Sequence, residues 1–166
     1  KTKKNSTTFE SKENGFYEIK STKSNNYLEL INGFKKGKIF NHMARYNNPR
    51  DIEIFSLLPQ GENSLHDSIR HLMPYKTRDH IFKDKYFKLD ENKVCKTITA
   101  HMSYDCNMYI HPTQARGLTP REAARVQSFP DNFEFMGSYT KWYEQIGNAV
   151  PPILAKSIGE AILEVS

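Results

Sequence analysis

Four residues with metal-binding chemistry lie close together: Cys95, His101, Cys106 and His111. Zinc is usually held by paired thiolates or imidazoles separated by about two to four residues. Here the spacing is Cys-x5-His-x4-Cys-x4-His, with no Cys-x-x-Cys knuckle, so no metal is expected. A second stretch, "QIGNAVPPILAKSI", joins Gly147-Asn148 to Pro151-Pro152 and an amphipathic run. Read locally, this is a Gly-Asn turn just before a helix N-terminus. Such a turn aims backbone amides outward where the helix dipole is positive, which suits the polar end of a ligand; the same residues also suit an ordinary helix start. The third chemical feature is charge. Residues 1–50 carry eleven Lys/Arg against four acids, a local +7, whereas residues 51–166 carry thirteen against fifteen, a local −2. A basic segment interleaved with Asn, Tyr and Phe suits a polyanion such as DNA. Residues 1–14 by themselves read equally as a solvated tail or linker. Lys35, Lys36 and Lys38 form a basic turn, either a phosphate patch or a solvated one.

Several elements must position these groups. Tyr17, Ile19, Tyr27, Leu28, Leu30 and Ile31 suggest strands or short helical turns, punctuated by Asn32-Gly33 and Gly37. "RDIEIFSLL" repeats apolar residues at 52, 54, 55, 57 and 58, which predicts a helix of two or three turns stopped by Pro59 and Gly61. "ENSLHDSIRHLMPY" predicts another short helix ending before Pro74. "KVCKTITAHMS" and "NMYIHP" read as two strands about a turn at Tyr104-Asp105, because β-branched residues crowd the first. "LTPREAARVQSFP" carries the strongest local signal. Thr119 is a preferred N-cap, Pro120 is pre-set for the first helical position, and Glu122 closes a capping box. Leu118 and Ala123 take the staple positions, and Phe129-Pro130 stops the helix. The closing helix starts at Pro151 or Pro152, with Val150, Leu154, Ile158, Ala161 and Ile162 along one face. The fold class expected is α+β: a small, irregular mixed domain with short strands, followed by two C-terminal helices.

"RGLTPREAARVQSFPDNF" (Arg116–Phe133) followed by "YEQIGNAVPPILAKSI" (Tyr143–Ile158) resembles the last two motifs of the DNA cytosine-5 methyltransferases, in order and at the right separation. "FNHMARYNNPRDIEIFSLLPQG", "FKDKYFKLD" and "TITAHMSYDCNMYIHP" are more loosely similar to the target-recognition region of one bacterial branch. The resemblance implies a reaction in which a thiolate attacks C6 of a flipped cytosine and C5 takes the methyl group of S-adenosylmethionine. It also implies a Rossmann-like catalytic domain and a recognition domain across a DNA cleft. On this likeness residues 1–14 are a tail or linker, 15–118 the target-recognition domain, and 119–166 the helices that return to the catalytic domain.

The resemblance assigns residues as follows. Asn148, Ala149 and Val150 are expected beside S-adenosylmethionine, as a partial site. Thr97 and Ile98 match the Thr-Leu/Ile/Val pair near the target base, where a hydroxyl holds phosphate without reading sequence. His42 and Arg45 in "NHMAR", and Arg116, are candidates for DNA contact. Thr119, Arg121 and Glu122 are expected to be structural, although Arg121 and Arg125 share a helix face and could also meet phosphate. Leu154 and Ile158 are expected to pack against the catalytic domain. The family's Pro-Cys nucleophile is missing, since the cysteines sit in "VCK" and "DCN". The Gly-x-Gly cofactor loop, the Glu-Asn-Val motif and the Gln-x-Arg-x-Arg motif are missing as well. No catalytic residue is therefore expected here. The chain begins with Lys rather than Met, and is expected to be a fragment or one subunit of a split enzyme. Its partners would be double-stranded DNA and an N-terminal catalytic domain, in the same chain or separate. The setting is restriction-modification, in the bacterial cytoplasm at the nucleoid, with no membrane span. The competing expectation is a stand-alone, sequence-specific DNA-binding module descended from such an enzyme.

Overall fold

The structure, a computed structural model, describes residues 17–18, 25–31, 38–73 and 85–165. The tail at 1–14 and the lysines at 35 and 36 lie outside these, as does the side chain of Lys38. The chain divides into two compact units.

The first unit holds the described parts of 44–97 together with 104–118. Helix α2 (Pro49–Leu57) takes in Pro49 ahead of the expected "RDIEIFSLL" run: the Asn48 side chain accepts from the Asp51 N–H, and Pro49 takes the first turn. Its buried side, Ile54, Phe55 and Leu58, meets Ile69, Tyr86 and Ile110 in one core. Ile69 comes from a 3₁₀ turn, Asp67–Leu72, in the segment expected to be a short helix. Two polar side chains that reach into this unit are matched to partners. The Tyr86 hydroxyl donates to Asp51 Oδ1 at 2.8 Å, and burial together with that carboxylate raises its pKa. Lys88 Nζ donates to the Phe55 carbonyl at 2.9 Å, and burial lowers its pKa.

The second unit holds the described parts of 10–43 together with 98–103 and 119–165. It contains a two-residue antiparallel ladder, β1 (Tyr17–Glu18) with β2 (Lys38–Ile39), in the register Tyr17↔Ile39. Helix α1 (Asn26–Leu30) is capped by Asn25. Three further helices follow: α3 (Pro120–Val126), α4 (Tyr139–Asn148) and α5 (Pro152–Val165). A 3₁₀ turn, Ala100–Ser103, lies against α4.

The sequence-based picture needs three corrections. Helices dominate the described residues, and β structure there amounts to the short ladder and three isolated bridges; the β half of the α+β expectation is not supplied. "KVCKTITAHMS" is irregular chain and a 3₁₀ turn instead of a strand, and "NMYIHP" contributes only bridge residue Ile110. Lastly, there are three C-terminal helices, not two. The extra one, α4, contains Gly147 and Asn148 as its last two residues, so the expected Gly-Asn turn is helical.

Candidate functional site

Helix α3 is the framework of the second unit. Thr119 and Glu122 form the full capping box: the Thr119 hydroxyl accepts from the Glu122 N–H at 3.1 Å, and the Glu122 carboxylate accepts from the Thr119 N–H at 2.8 Å. The same hydroxyl lies 2.9 Å from His42 Nδ1, which joins His42 to the helix cap. Arg121 is fully buried. Its guanidinium donates to the carbonyls of Phe40 (2.8 Å), Pro130 (2.9 Å) and Phe133 and to Asn41 Oδ1 (3.4 Å). Burial pulls its pKa down to about 10, an effect partly offset by Asp131. Asn41, at φ 60°, also donates to and accepts from Phe135. Around this hub Phe129, Phe133 and Phe135 stack with centroids 4.9–5.2 Å apart. Arg125 grips Asp131 with two bonds of 2.7 Å, the bidentate geometry in which arginine holds a carboxylate best.

The segment expected beside the cofactor runs from the end of α4 to the start of α5. Asn148 is exposed, Ala149 half-buried, and Val150 59% exposed. Because Gly147 and Asn148 belong to α4, their N–H groups serve the helical ladder and are not the outward donors the sequence suggested. Pro151 and Pro152 have no N–H to offer. The next amide, Ile153, donates to Ser128 Oγ at 3.1 Å. At the other end, the Ile146 carbonyl accepts from buried Gln127 Nε2 at 3.0 Å and from the Ala149 N–H at 3.4 Å. The neighbouring residues Gln127 and Ser128 thus tether both ends of 146–153. Ser128 adopts φ 61°, a left-handed conformation uncommon for serine. The sequence reading missed Gln127, Ser128 and α4 itself. The signal for α4 was present in Tyr139, Trp142, Tyr143 and Ile146, which recur at helical spacing.

What remains exposed at 148–150 is one side-chain amide and one aliphatic side chain. That pairing fits one edge of an amphipathic nucleoside cofactor such as S-adenosylmethionine, without charge complementarity from the backbone. Helix α5 has no buried residue; Leu154, Ile158 and Ile162 are 52%, 51% and 59% exposed.

The remaining predicted residues are dispersed. Ile98 is buried in the second unit. In the first unit Thr97 is exposed, and its carbonyl accepts from the Tyr109 hydroxyl at 2.8 Å. Arg45 donates to the Tyr104 carbonyl. Arg116 is fully buried; its Nε donates to Gln114 Oε1 at 2.7 Å and its Nη1 to the Gly117 carbonyl at 3.0 Å. A phosphate would have to displace those oxygens to reach it. Burial pushes the Cys95 thiol up to about 11, the opposite of what an activated nucleophile needs. Among the described residues no three His, Cys, Asp or Glu side chains converge as a metal site, and no helix is long and apolar enough to cross a membrane.

Comparison with known proteins assigns this arrangement to a family. The family model for C-5 cytosine-specific DNA methylases matches residues 1–164. Curated relatives include a putative type II methyltransferase, M.OihORF3336P of Oceanobacillus iheyensis, 36% identical over 87% of this chain and 37% of its own length. Type II methyltransferase M.DdeI of Desulfomicrobium norvegicum is 35% identical over 83% of this chain and 35% of its own. The crystal structure of a putative DNA modification methyltransferase encoded within an E. coli prophage superimposes with a TM-score of 0.61 at 25% identity, covering 90% of this chain and 40% of that one. The chain belongs to the C-5 cytosine-specific DNA methylase family. It spans about a third of the length of these curated relatives.

Proposed function

We propose that this chain is the target-recognition and C-terminal portion of a DNA cytosine-5 methyltransferase of restriction-modification type. Residues 15–118 carry DNA recognition, and 119–166 return to the catalytic portion. In this reading Asn148, Ala149 and Val150 form one wall of the S-adenosylmethionine pocket. The cofactor, when bound, supplies the methyl group that is transferred. The side-chain amide of Asn148 would orient its polar atoms and Val150 would cover an apolar edge.

Thr97 is the DNA contact best supported, because its side chain is exposed while its carbonyl is fixed by Tyr109. Arg45 is a second. Ile98, His42 and Arg116 would act as supports, since Ile98 and Arg116 are buried and His42 is joined to the α3 cap. Thr119, Arg121 and Glu122 hold the framework on which the cofactor wall is mounted. The nucleophile and the proton donor for the cytosine ring would come from the catalytic portion.

The observation that carries this reading is α5. An amphipathic helix that leaves Leu154, Ile158 and Ile162 half-exposed directly after the cofactor wall is one side of an interface, since burying such side chains is worth about 1.5–3 kcal/mol each. The experiment is to incubate the chain with duplex DNA and methyl-labelled S-adenosylmethionine, alone and with the catalytic portion of the enzyme. Label on cytosine C5 is expected only with both present. Transfer by the chain alone, or none with both, overturns the proposal.

A further inference from the structure

Two loops of the first unit hold apolar side chains out in water on firmly pinned chain. One is 90–97. The Glu91 N–H donates to Gln60 Oε1 at 3.1 Å, and the Asn92 and Lys93 N–H groups close a turn on Asp90 at 2.9 and 3.2 Å. Lys93 Nζ lies 3.3 Å from Asp90 Oδ2. Further on, Lys96 Nζ sits 3.9 Å from the centre of the Phe87 ring, and the Thr97 carbonyl accepts from the Tyr109 hydroxyl. Between these fixed points Val94 is 97% exposed.

The other loop is 104–107. The Tyr104 carbonyl accepts from Arg45, and the Asp105 carboxylate accepts from the Asn107 N–H at 3.1 Å. The Asn107 carbonyl accepts from the Phe87 N–H and the Cys106 carbonyl from the Tyr109 N–H, both at 2.9 Å. Both loops are thus stapled to the same two residues, Phe87 and Tyr109. Tyr104 is 80% exposed, and it and Val94 are the most exposed large hydrophobic residues among those described in the first unit. Apolar side chains left in water on loops that cannot fold over to cover them are suited to a contact.

Charge narrows the kind of contact. Lys93, Lys96 and Arg45 are balanced by Asp90, Glu91 and Asp105, so this edge gains little from phosphate. The grip on phosphate falls to the basic first fifty residues, at a local +7. What an uncharged edge with apolar tips can do is read bases, since sequence is read by contacts to base edges in the grooves. Among unmodified bases, the thymine methyl group is the apolar mark displayed in the major groove. We propose that loops 90–97 and 104–107 form the base-reading edge of the recognition unit, with Val94 on a thymine methyl group in the major groove and Tyr104 on a second base. The inference rests on the functional reading above and names the specificity-determining side chains within it.

The test uses the complete methyltransferase, this chain together with its catalytic portion, and its recognition duplex as read from methylated plasmid DNA. Each thymine of the duplex is replaced in turn by deoxyuridine, which deletes one methyl group, and kcat/KM for methyl transfer is measured each time. The wild type is expected to lose about fourfold at one thymine position, the worth of one buried methyl group. Val94→Ala should make that position indifferent to the replacement, and Val94→Ile should keep the loss. Tyr104→Ala should flatten the base preference at a different position. Both side chains are exposed, so the variants should fold as the wild type does. A recognition sequence without an A·T pair, a wild type insensitive to every replacement, or an undiminished loss in Val94→Ala overturns the inference. An unchanged preference profile in Tyr104→Ala overturns the second contact. A merely structural role would lower activity on all duplexes alike and leave the thymine-to-uracil ratio where it was. Absence of methyl transfer by the wild type on any duplex would instead remove the functional reading, so the two failures are distinct.

Discussion

Helices α3 and α5 carry the same signature in sequence, an apolar face after an N-terminal proline, and they end in opposite situations. Helix α3 is seven residues long, and Pro120, Arg121, Ala123 and Ala124 are buried within its own unit. Helix α5 is fourteen residues long and buries none. The difference teaches what amphipathicity measures. It reports that a face needs covering, and leaves open what covers it. The cover of α3 comes from α4, from Phe135 beside the Arg121 guanidinium and from the Arg121 hydrogen-bond hub of the same unit. The cover of α5 is, on the proposed function, another part of the enzyme.

Four measurements would break or sharpen this contrast. The largest effect is expected at Arg121. Arg121→Ala leaves the carbonyls of Phe40, Pro130 and Phe133 without their donor, a loss on the order of 3–5 kcal/mol for a buried charged network. Arg121→Lys should recover little of it, because an ammonium cannot span a planar fork. Both are read from urea unfolding midpoints, and a loss below 1 kcal/mol would mean that the hub is not what holds α3. Next is Thr119→Ala, which removes the N-cap acceptor and should cost about 1 kcal/mol; Thr119→Ser should be close to neutral by the same assay.

Smaller again is Tyr27, whose hydroxyl donates to the Arg125 carbonyl at the end of α3 and whose pKa is raised by partial burial. The unfolded chain loses this proton near pH 10 while the folded chain keeps it longer. The contribution of Tyr27 is therefore complete below pH 10 and declines as pH rises through the folded pKa. Tyr27→Phe should flatten the alkaline limb of a stability–pH curve, and an unchanged limb would remove Tyr27 from the α3 support. Ile158→Glu in α5 should leave the stability of this chain within about 0.5 kcal/mol, as for an exposed site. It should nevertheless abolish methyl transfer in the reconstituted enzyme. Destabilisation of the isolated chain comparable with the Arg121 variant would erase the contrast.

How far the sequence could be read depended on distance along the chain. The α3 cap was legible because Thr119 and Glu122 are three residues apart and the box closes between them. Asn48-Pro49 reads as a turn, and its part as the cap and first turn of α2 was missed. Gly147 was misread because its local preference is a turn, while the force that makes it helical, the nearby Thr99–Ala100 backbone, lies over forty positions upstream. "KTITAH" failed as a strand for a related reason. Its β-branched residues favour extension, but among the described residues no strand pairs with it, and the segment, with Ile98 and Met102 buried, turns against α4. For the candidate site, residue types were legible but their surroundings were not: Arg116 and Thr97 look equally available in sequence, yet one is fully buried and the other exposed.

The tethering of 146–153 by Gln127 and Ser128 has a consequence for the entropy of binding. A free loop of this size would sacrifice its conformational freedom when a ligand arrived, at about 1–2 kcal/mol per ordered residue. Here two hydrogen bonds, the fixed φ of Pro151 and Pro152, and a serine held at φ 61° place that loss in folding instead. On the proposed function, a cofactor meeting Asn148 and Val150 would find a segment whose ordering is already complete, so that less of the affinity from a short edge of contact, two side chains wide, would be lost to ordering it.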